Sequence, residues 1–464
     1  MNSSERHEAR YQRRKAARDA AQEARVGFYD DFGRITSIDN LYQAFKDCMK
    51  NVAWKESVQR YQSNALKNVA DTHNRLIAGE TLQNGFVEFD LHERGKIRHI
   101  KSIHISERVI QKCLCDQVVV PIITNTLIYD NGASVINKGV HFALRRLITH
   151  LAKFYRHNGR SNDGYALLID FSKFFDSINH EILFRLQDKV IKDPNVRHLL
   201  RKYISVFGDG VSLGLGSQVS QISAIFYPNT LDHFIKEKLR IKYYGRYMDD
   251  LYLIHHDKEY LRYCLREIEK HCDGLKLTIN KNKTQIVRLR DGLVFLKGKY
   301  RLLPSGKILR RPCKGSAQRM KRKLRKFRQL IIKRKMKYHD VRTAYQSWRG
   351  NFQRRFDAHY QIRFMDRMYY DIFIAGHGDQ GKYPIFTRGY ITPVEYRLIT
   401  GKPYPDKEKV FVLDNDDAGT SFWTTVRYGK IKHSELPMVC KLKNTKRPRR
   451  WRPPENTAKN QDNP

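Results

Sequence analysis

The stretch KYYGRYMDDLYLIHHD, residues 242–257, places Asp249 and Asp250 side by side between two short apolar and aromatic runs. The runs have the spacing of the two arms of a β-hairpin, which would set two mutually repelling carboxylates at its tip. Hairpin turns favour Asn-Gly or Asp-Gly, and Met-Asp-Asp meets neither preference. With 26 Tyr in 464 residues, a Tyr-x-Asp-Asp match is expected by chance on the order of 0.1 times per chain, so the tetrapeptide is weak evidence alone. Its meaning has to come from the rest of the chain.

At 54.9 kDa and 41% hydrophobic residues, the chain can bury several cores, and two to four domains are expected. Lys and Arg outnumber Asp and Glu by 88 to 48, for a net charge of +40. Such an imbalance favours a polyanionic partner through phosphate neutralisation and counterion release, which makes nucleic acid the leading partner class. No apolar run approaches about 18 residues, and the start, MNSSERHEARYQRRKAARDA, lacks the apolar segment of a signal peptide. No membrane association and a cytoplasmic location are the expectation. The seven cysteines are scattered, and Cys113 and Cys115 lack the second ligand pair of a zinc site, so reduced structural thiols are expected.

Residues 1–25 read as a basic arm, and 38–80 as helices with apolar spacings of three and four. GFVEFDLHERGKIRHIKSI, 85–103, reads as strand, turn and strand, followed by a helical stretch at 106–128. From 164 the pattern mixes: strand YALLID, helix 179–190, a Gly-rich loop, helix 218–238, hairpin 242–256, helix 258–272, and strands near 284–288 and 293–300. This interleaving predicts the α+β class. Residues 321–335, KRKLRKFRQLIIKRK, hold nine Lys or Arg and no acid, yet Leu324, Phe327, Leu330 and Ile331 keep a helical stripe. GHGDQG, 376–381, reads as a boundary, and KNTKRPRRWRPPENTAKNQDNP as a disordered basic tail.

A second acidic site, YALLIDFSKFFDSINHEIL, gives the hairpin pair its sense. Asp170 ends an apolar strand just before a turn into a helix. Brought beside a tip bearing two more carboxylates, it completes a cluster whose repulsion is tolerable when divalent cations fill it. Two such ions about 3.5–4 Å apart serve phosphoryl transfer by activating the attacking oxygen and steadying the leaving pyrophosphate. For Asp170 alone, a turn or helix-capping aspartate is an equal reading.

With these motifs in this order, residues 85–300 resemble the reverse transcriptases, in particular the bacterial enzymes related to group II intron, retron, diversity-generating and phage-defence systems. DFSKFFDSI resembles the first palm motif, which implies Asp170 as metal ligand with the carbonyl of Phe171 as a second contact. YMDD resembles the third, with Asp249 as the second metal carboxylate and Asp250 its neighbour, so that Asp170, Asp249 and Asp250 together would hold two metals. Phe175 lies where the family has an aromatic steric gate under the sugar, favouring deoxynucleotides. GLGSQVSQ, 214–221, resembles the second palm motif, placing Gln218 against the incoming nucleotide; Ser217 stands where many relatives have Pro. GKIRHI, 95–100, resembles the fingers hairpin, in which Arg98, with Lys96, would grip the triphosphate. GLKLTINKNKTQI, 274–286, resembles the fourth palm motif, which implies Lys283 to protonate or electrostatically relieve the departing pyrophosphate, with Lys281 as rival. GLVFLKG, 292–298, resembles the primer grip, with Lys297 where relatives carry Gly. NKGVHFALRRL, 137–147, matches the helix before the first palm motif.

The resemblance implies a right-hand polymerase: a basic and helical N-terminal extension (1–84), fingers and palm (85–300), a basic helical thumb (301–375) and a C-terminal extension with a disordered tail (376–464). The expected activity is RNA-directed DNA synthesis from dNTPs on an RNA template, with a DNA or RNA primer and two Mg²⁺ ions, Mn²⁺ being able to substitute. A dedicated non-coding RNA is a candidate template. The C-terminal region shows no Cys/His-rich endonuclease motif, so a free-standing enzyme of anti-phage defence is expected, against retron-like, diversity-generating or intron-derived roles. An RNA polymerase, which Phe175 argues against, and an RNA-binding maturase or scaffold are the remaining alternatives.

Overall fold

A computed structural model describes residues 3–80, 85–93, 96–313, 315–373, 411–415 and 421–425. Two units divide the chain, Met1–Arg310 and Arg311–Pro464. The first begins with one long helix, Ser3–Tyr29, followed by the helices Ile38–Met49, Glu56–Ser63 and Ala65–Ile77. An antiparallel ribbon of β1 (Phe86–Glu93) and β2 (Lys96–Ile103) comes next. A helix from Ile105 to Thr126 then runs through one π-helical turn at Cys115–Val119. Cys113 and Cys115 are buried free thiols in it.

The centre of the unit is a four-stranded antiparallel sheet of β3 (Tyr165–Asp170), β4 (Tyr243–Tyr247), β5 (Asp250–His255) and β6 (Gln285–Arg288) in the order β4-β5-β3-β6. Both faces are covered, which is why the strands read as nearly unbroken apolar runs. Leu167, Ile169, Leu251 and Leu253 face the larger core, which they share with the helices Ile38–Met49 and Ile105–Leu114. Ala166, Leu168, Tyr252 and Ile254 face a smaller core with the helix Val140–His157. Period-two alternation thus sorts side chains between two cores rather than between core and water. Gly245 belongs to this packing. A Cβ there would meet the Tyr252 hydroxyl at 2.6 Å, so the ring lies across the bare backbone.

Three elements differ from expectation. The strand expected at 293–300 is a hairpin of β7 (Leu293–Phe295) and β8 (Gly298–Leu302), because Leu296 and Lys297 both take positive φ, 46° and 66°, and turn the chain. The helix expected at 218–238 breaks after Phe226, where Pro228 lacks an N–H, and resumes at Asn229. Pro194–Ser205, with Asp193 capping Asn195 and Val196, is a helix the sequence reading passed over. The strand β9 (Ile308–Pro312) completes a three-stranded sheet with β7 and β8.

In the second unit, the helices Ser316–Ile332, Tyr338–Arg355 and His359–Phe373 close around Met320, Leu324, Phe327, Val341, Tyr345 and Tyr369. The stripe expected in the basic run is the face that is buried, leaving Arg322, Lys323, Arg325 and Lys326 in water. Phe411–Asn415 and Ser421–Thr425 pair as an antiparallel ribbon. The Gly-rich boundary and the basic tail lie outside the described residues. Among the described residues, no helix is long and apolar enough to cross a membrane.

Candidate active site

Asp170 is the last residue of β3, and the sheet register sets it directly opposite Asp250, the first of β5. The hairpin turn is only two residues long, since Tyr247 pairs with Asp250. Of the two turn residues only Met248 takes positive φ, 55°, a position that normally favours glycine. A left-handed backbone costs such a side chain about 1–2 kcal/mol, so the surroundings must hold it. Arg246 does so: its Nη1 donates to the Met248 carbonyl at 3.2 Å. The rest of its guanidinium is fixed by Asp232, at 2.6–3.0 Å, and by the Ile225 carbonyl at 2.7 Å. Arg246 and Asp232 are both fully buried, and the Tyr244 hydroxyl donates to Asp232 as well.

The acidic strand end is stitched from its other side. The Asn280 amide donates to the Asp170 carbonyl at 2.8 Å, and Ser172 N–H to the Thr278 carbonyl at 2.8 Å. Phe171 N–H reaches the Asp249 carbonyl at 3.4 Å, linking the two acidic elements directly. The same segment brings Lys283 Nζ to 3.0 and 2.8 Å from the two Asp170 oxygens, with Asn280 Nδ2 at 3.4 Å. Lys281, the rival, is exposed and has no such contact among the described residues.

Burial first, then the facing Asp249 and Asp170 carboxylates, push the Asp250 carboxyl up to about 7. The hydrogen bond to Asp170 is the main cause that raises the Lys283 ammonium. Asp170 and Asp250 paired in register, with Asp249 near enough to push the Asp250 carboxyl up, are short of positive charge. Hard oxygen donors suit a divalent cation of the Mg²⁺ type. No cage of three or more His, Cys, Asp or Glu is formed among the described residues, and Mg²⁺ typically uses one or two carboxylates completed by substrate phosphates. The donor set therefore fits such ions as a partial site.

The other expected residues fall around this tip. The Phe175 ring is half-buried, edge-on to Phe174 at 5.8 Å, and its carbonyl accepts from Leu213 N–H at 2.8 Å, which ties the first motif to the Gly-rich loop. Gln218 donates from Nε2 to Asp116 at 2.8 Å and lines a cavity of about 420 Å³ with Arg108, Lys112 and Gln221. Lys96 and Arg98 sit on β2, and their side chains lie outside the described residues. A separate cavity of about 320 Å³ joins Asp170, Asp250 and Lys283 to Val294 and Phe295 of the expected primer grip.

Sequence reasoning missed Arg246, Asp232 and Asn280. A buried Arg inside an apolar strand was the available signal, because such a cation requires a buried acid. It also left Ser217 without a role. The Ser217 hydroxyl caps the helix Gln218–Phe226 by accepting from Ser220 N–H and donates to Gln111 Oε1 at 2.7 Å.

A family model described as Reverse transcriptase (RNA-dependent DNA polymerase) matches residues 90–339, just over half of the chain. No curated protein matches. Among solved structures, apo telomerase from Candida tropicalis truncated from its C-terminal domain aligns at 13% identity and a TM-score of 0.39, over 48% of this chain and 54% of that one. Telomerase from Candida albicans in complex with a TWJ fragment of telomeric RNA aligns at 12% identity and a TM-score of 0.39, over 53% and 49%. The chain spans about half the length of the solved structures it matches.

Proposed function

The chain belongs to the reverse transcriptase (RNA-dependent DNA polymerase) family, and from that premise we propose that it copies an RNA template into cDNA from dNTPs by two-metal phosphoryl transfer. Its α+β architecture is the right-hand polymerase fold of that family. We assign fingers and palm to 85–300, a thumb to 301–375, and the remaining segments to N- and C-terminal extensions.

The observation that carries the reading is the register pair Asp170–Asp250 with Lys283 bound to Asp170. Asp170, Asp249, Asp250 and the Phe171 carbonyl would hold divalent ions, Mg²⁺ or Mn²⁺, which would supply Lewis-acid activation of the primer hydroxyl and charge neutralisation at the leaving pyrophosphate. Asp250 completes the carboxylate cluster. Lys283 carries a proton within reach of that cluster and is the donor to pyrophosphate. Phe175 closes the space under the sugar and selects deoxynucleotides. Gln218 lies against the incoming nucleotide, and Lys96 and Arg98 grip its phosphates by charge-assisted hydrogen bonds. Primer, dNTP and RNA are the partners this requires. The motif resemblance supports a bacterial, cytoplasmic enzyme, and we place its role in anti-phage defence.

Primer extension on an RNA template tests this. Wild-type protein should add dNTPs with a divalent ion and discriminate strongly against NTPs, and Phe175→Ala should admit NTPs. Equal use of dNTPs and NTPs by wild-type protein would contradict the gate.

A further inference from the structure

The palm hairpin has a second end. Five residue steps of β5, about 17 Å at ~3.3 Å per residue, separate Asp250 from His255, where the strand leaves the sheet. There a cavity of about 250 Å³ is lined by His157, Arg240, Lys242, Tyr243, His255 and His256 among others, and no carboxylate lies among the described residues lining it. Arg240 and Lys242 give the lining fixed donors, and three imidazole rings stand beside them. His255 Nδ1 lies 3.1 Å from the Asp257 N–H and 3.3 Å from the Asp257 carbonyl, which ties the ring to the start of the following helix. His157 Nδ1 pairs with the Tyr243 hydroxyl at 2.6 Å. The His255 and His256 rings lie 4.3 Å apart, close for two groups that each gain charge on protonation. Arg240 holds a left-handed backbone, φ 47°, which is unusual for a residue with a long side chain. Exposed Arg156, Arg160 and Lys238 extend the positive charge along the neighbouring chain.

We propose that this cavity binds phosphate groups of RNA lying outside the copied segment. Asp257 lies just outside, bonded through its backbone to His255, but the lining itself offers cations and no acid, which selects an anion. The open, multiply basic rim favours successive phosphodiesters over a single phosphate ion. At the far end of β5 from the carboxylate tip, it is placed for RNA away from the nucleotide being copied. The inference rests on the reading that the chain copies RNA, and polymerisation is therefore measured separately from binding.

The test uses the full chain and a double variant, Arg240→Gly plus Lys242→Gln. Glycine suits the left-handed backbone, so charge is removed without adding strain. Affinity for a folded RNA hairpin with a single-stranded tail is measured across salt concentrations, beside primer extension on a short unstructured template. The expected result is about tenfold weaker binding, a salt slope lower by about 2, and unchanged extension. RNA should also shield His157, His255 and His256 from diethyl pyrocarbonate where inorganic phosphate does not. Unchanged affinity and slope, or equal shielding by inorganic phosphate, would overturn the proposal. If the double variant melts at a lower temperature, Lys242→Gln alone carries the comparison, with a slope change of about 1. A wild-type protein inactive on the short template would count against the proposed function and leave the binding result readable.

Discussion

Asp170 illustrates how a single side chain is specified from two directions. Its strand sets it opposite Asp250, and a segment more than a hundred residues later delivers Lys283 and Asn280 to its oxygens. Lys283 and Lys281 were both candidates for the proton donor, and only Lys283 has the contact. Lys283→Met should lower single-turnover nucleotide addition by about 10²-fold or more, in the range of a lost general acid, with Lys281→Met near wild type. Rapid-quench kinetics read both, and a larger loss for Lys281→Met would reverse the assignment. Met248 yields a second expectation. Glycine would relieve its left-handed backbone but gain unfolded-state entropy, so Met248→Gly should change stability by no more than about 1 kcal/mol. A loss above about 2 kcal/mol in denaturant unfolding would show that the side chain, not the backbone, dominates there.

The β4–β5 hairpin is braced on both faces, and the two braces make separate predictions. On one face Arg246 and Asp232 are wholly buried and hold the Met248 carbonyl. Arg246→Ala leaves an unpaired buried carboxylate and should destabilise by about 3–5 kcal/mol. On the other face Tyr252 covers Gly245, so Gly245→Ala should cost about 1–3 kcal/mol through overpacking. Beneath Tyr252, the ring of His150 is buried with its pKa depressed to about 4, burial being the main cause. Unfolded His150 takes up a proton near pH 6.5, so its contribution to stability is complete above that pH and lost as pH falls toward 4. His150→Asn should flatten the stability profile in that window, and an unchanged profile would contradict the assignment. The acidic motifs, the apolar strands and the basic helix were legible because each is written in a contiguous run. The Arg246–Asp232 brace was not, since its partners are 14 residues apart on different elements and pairing depends on tertiary packing. The β7–β8 turn was missed because Leu296 and Lys297 carry none of the usual Gly or Asn signal.

For the chain as a whole, a charge of +40 makes the salt dependence of RNA binding a primary observable. The basic helix Ser316–Ile332 buries Met320, Leu324 and Phe327 and leaves Arg322, Lys323, Arg325 and Lys326 in water. Replacing Arg322, Arg325 and Lys326 with Gln should reduce the slope of log K against log salt by about 2–3 without loss of fold. An unchanged slope would remove this helix from the RNA-binding surface. The same charge makes RNA binding a poor test of catalysis, because a scaffold with this surface would bind too. The decisive measurement is therefore RNA-templated primer extension by the Asp249→Ala plus Asp250→Ala variant, with RNA affinity determined on the same preparation. The account predicts that cDNA synthesis disappears while RNA affinity is retained; synthesis at the wild-type rate by a correctly folded variant would contradict it.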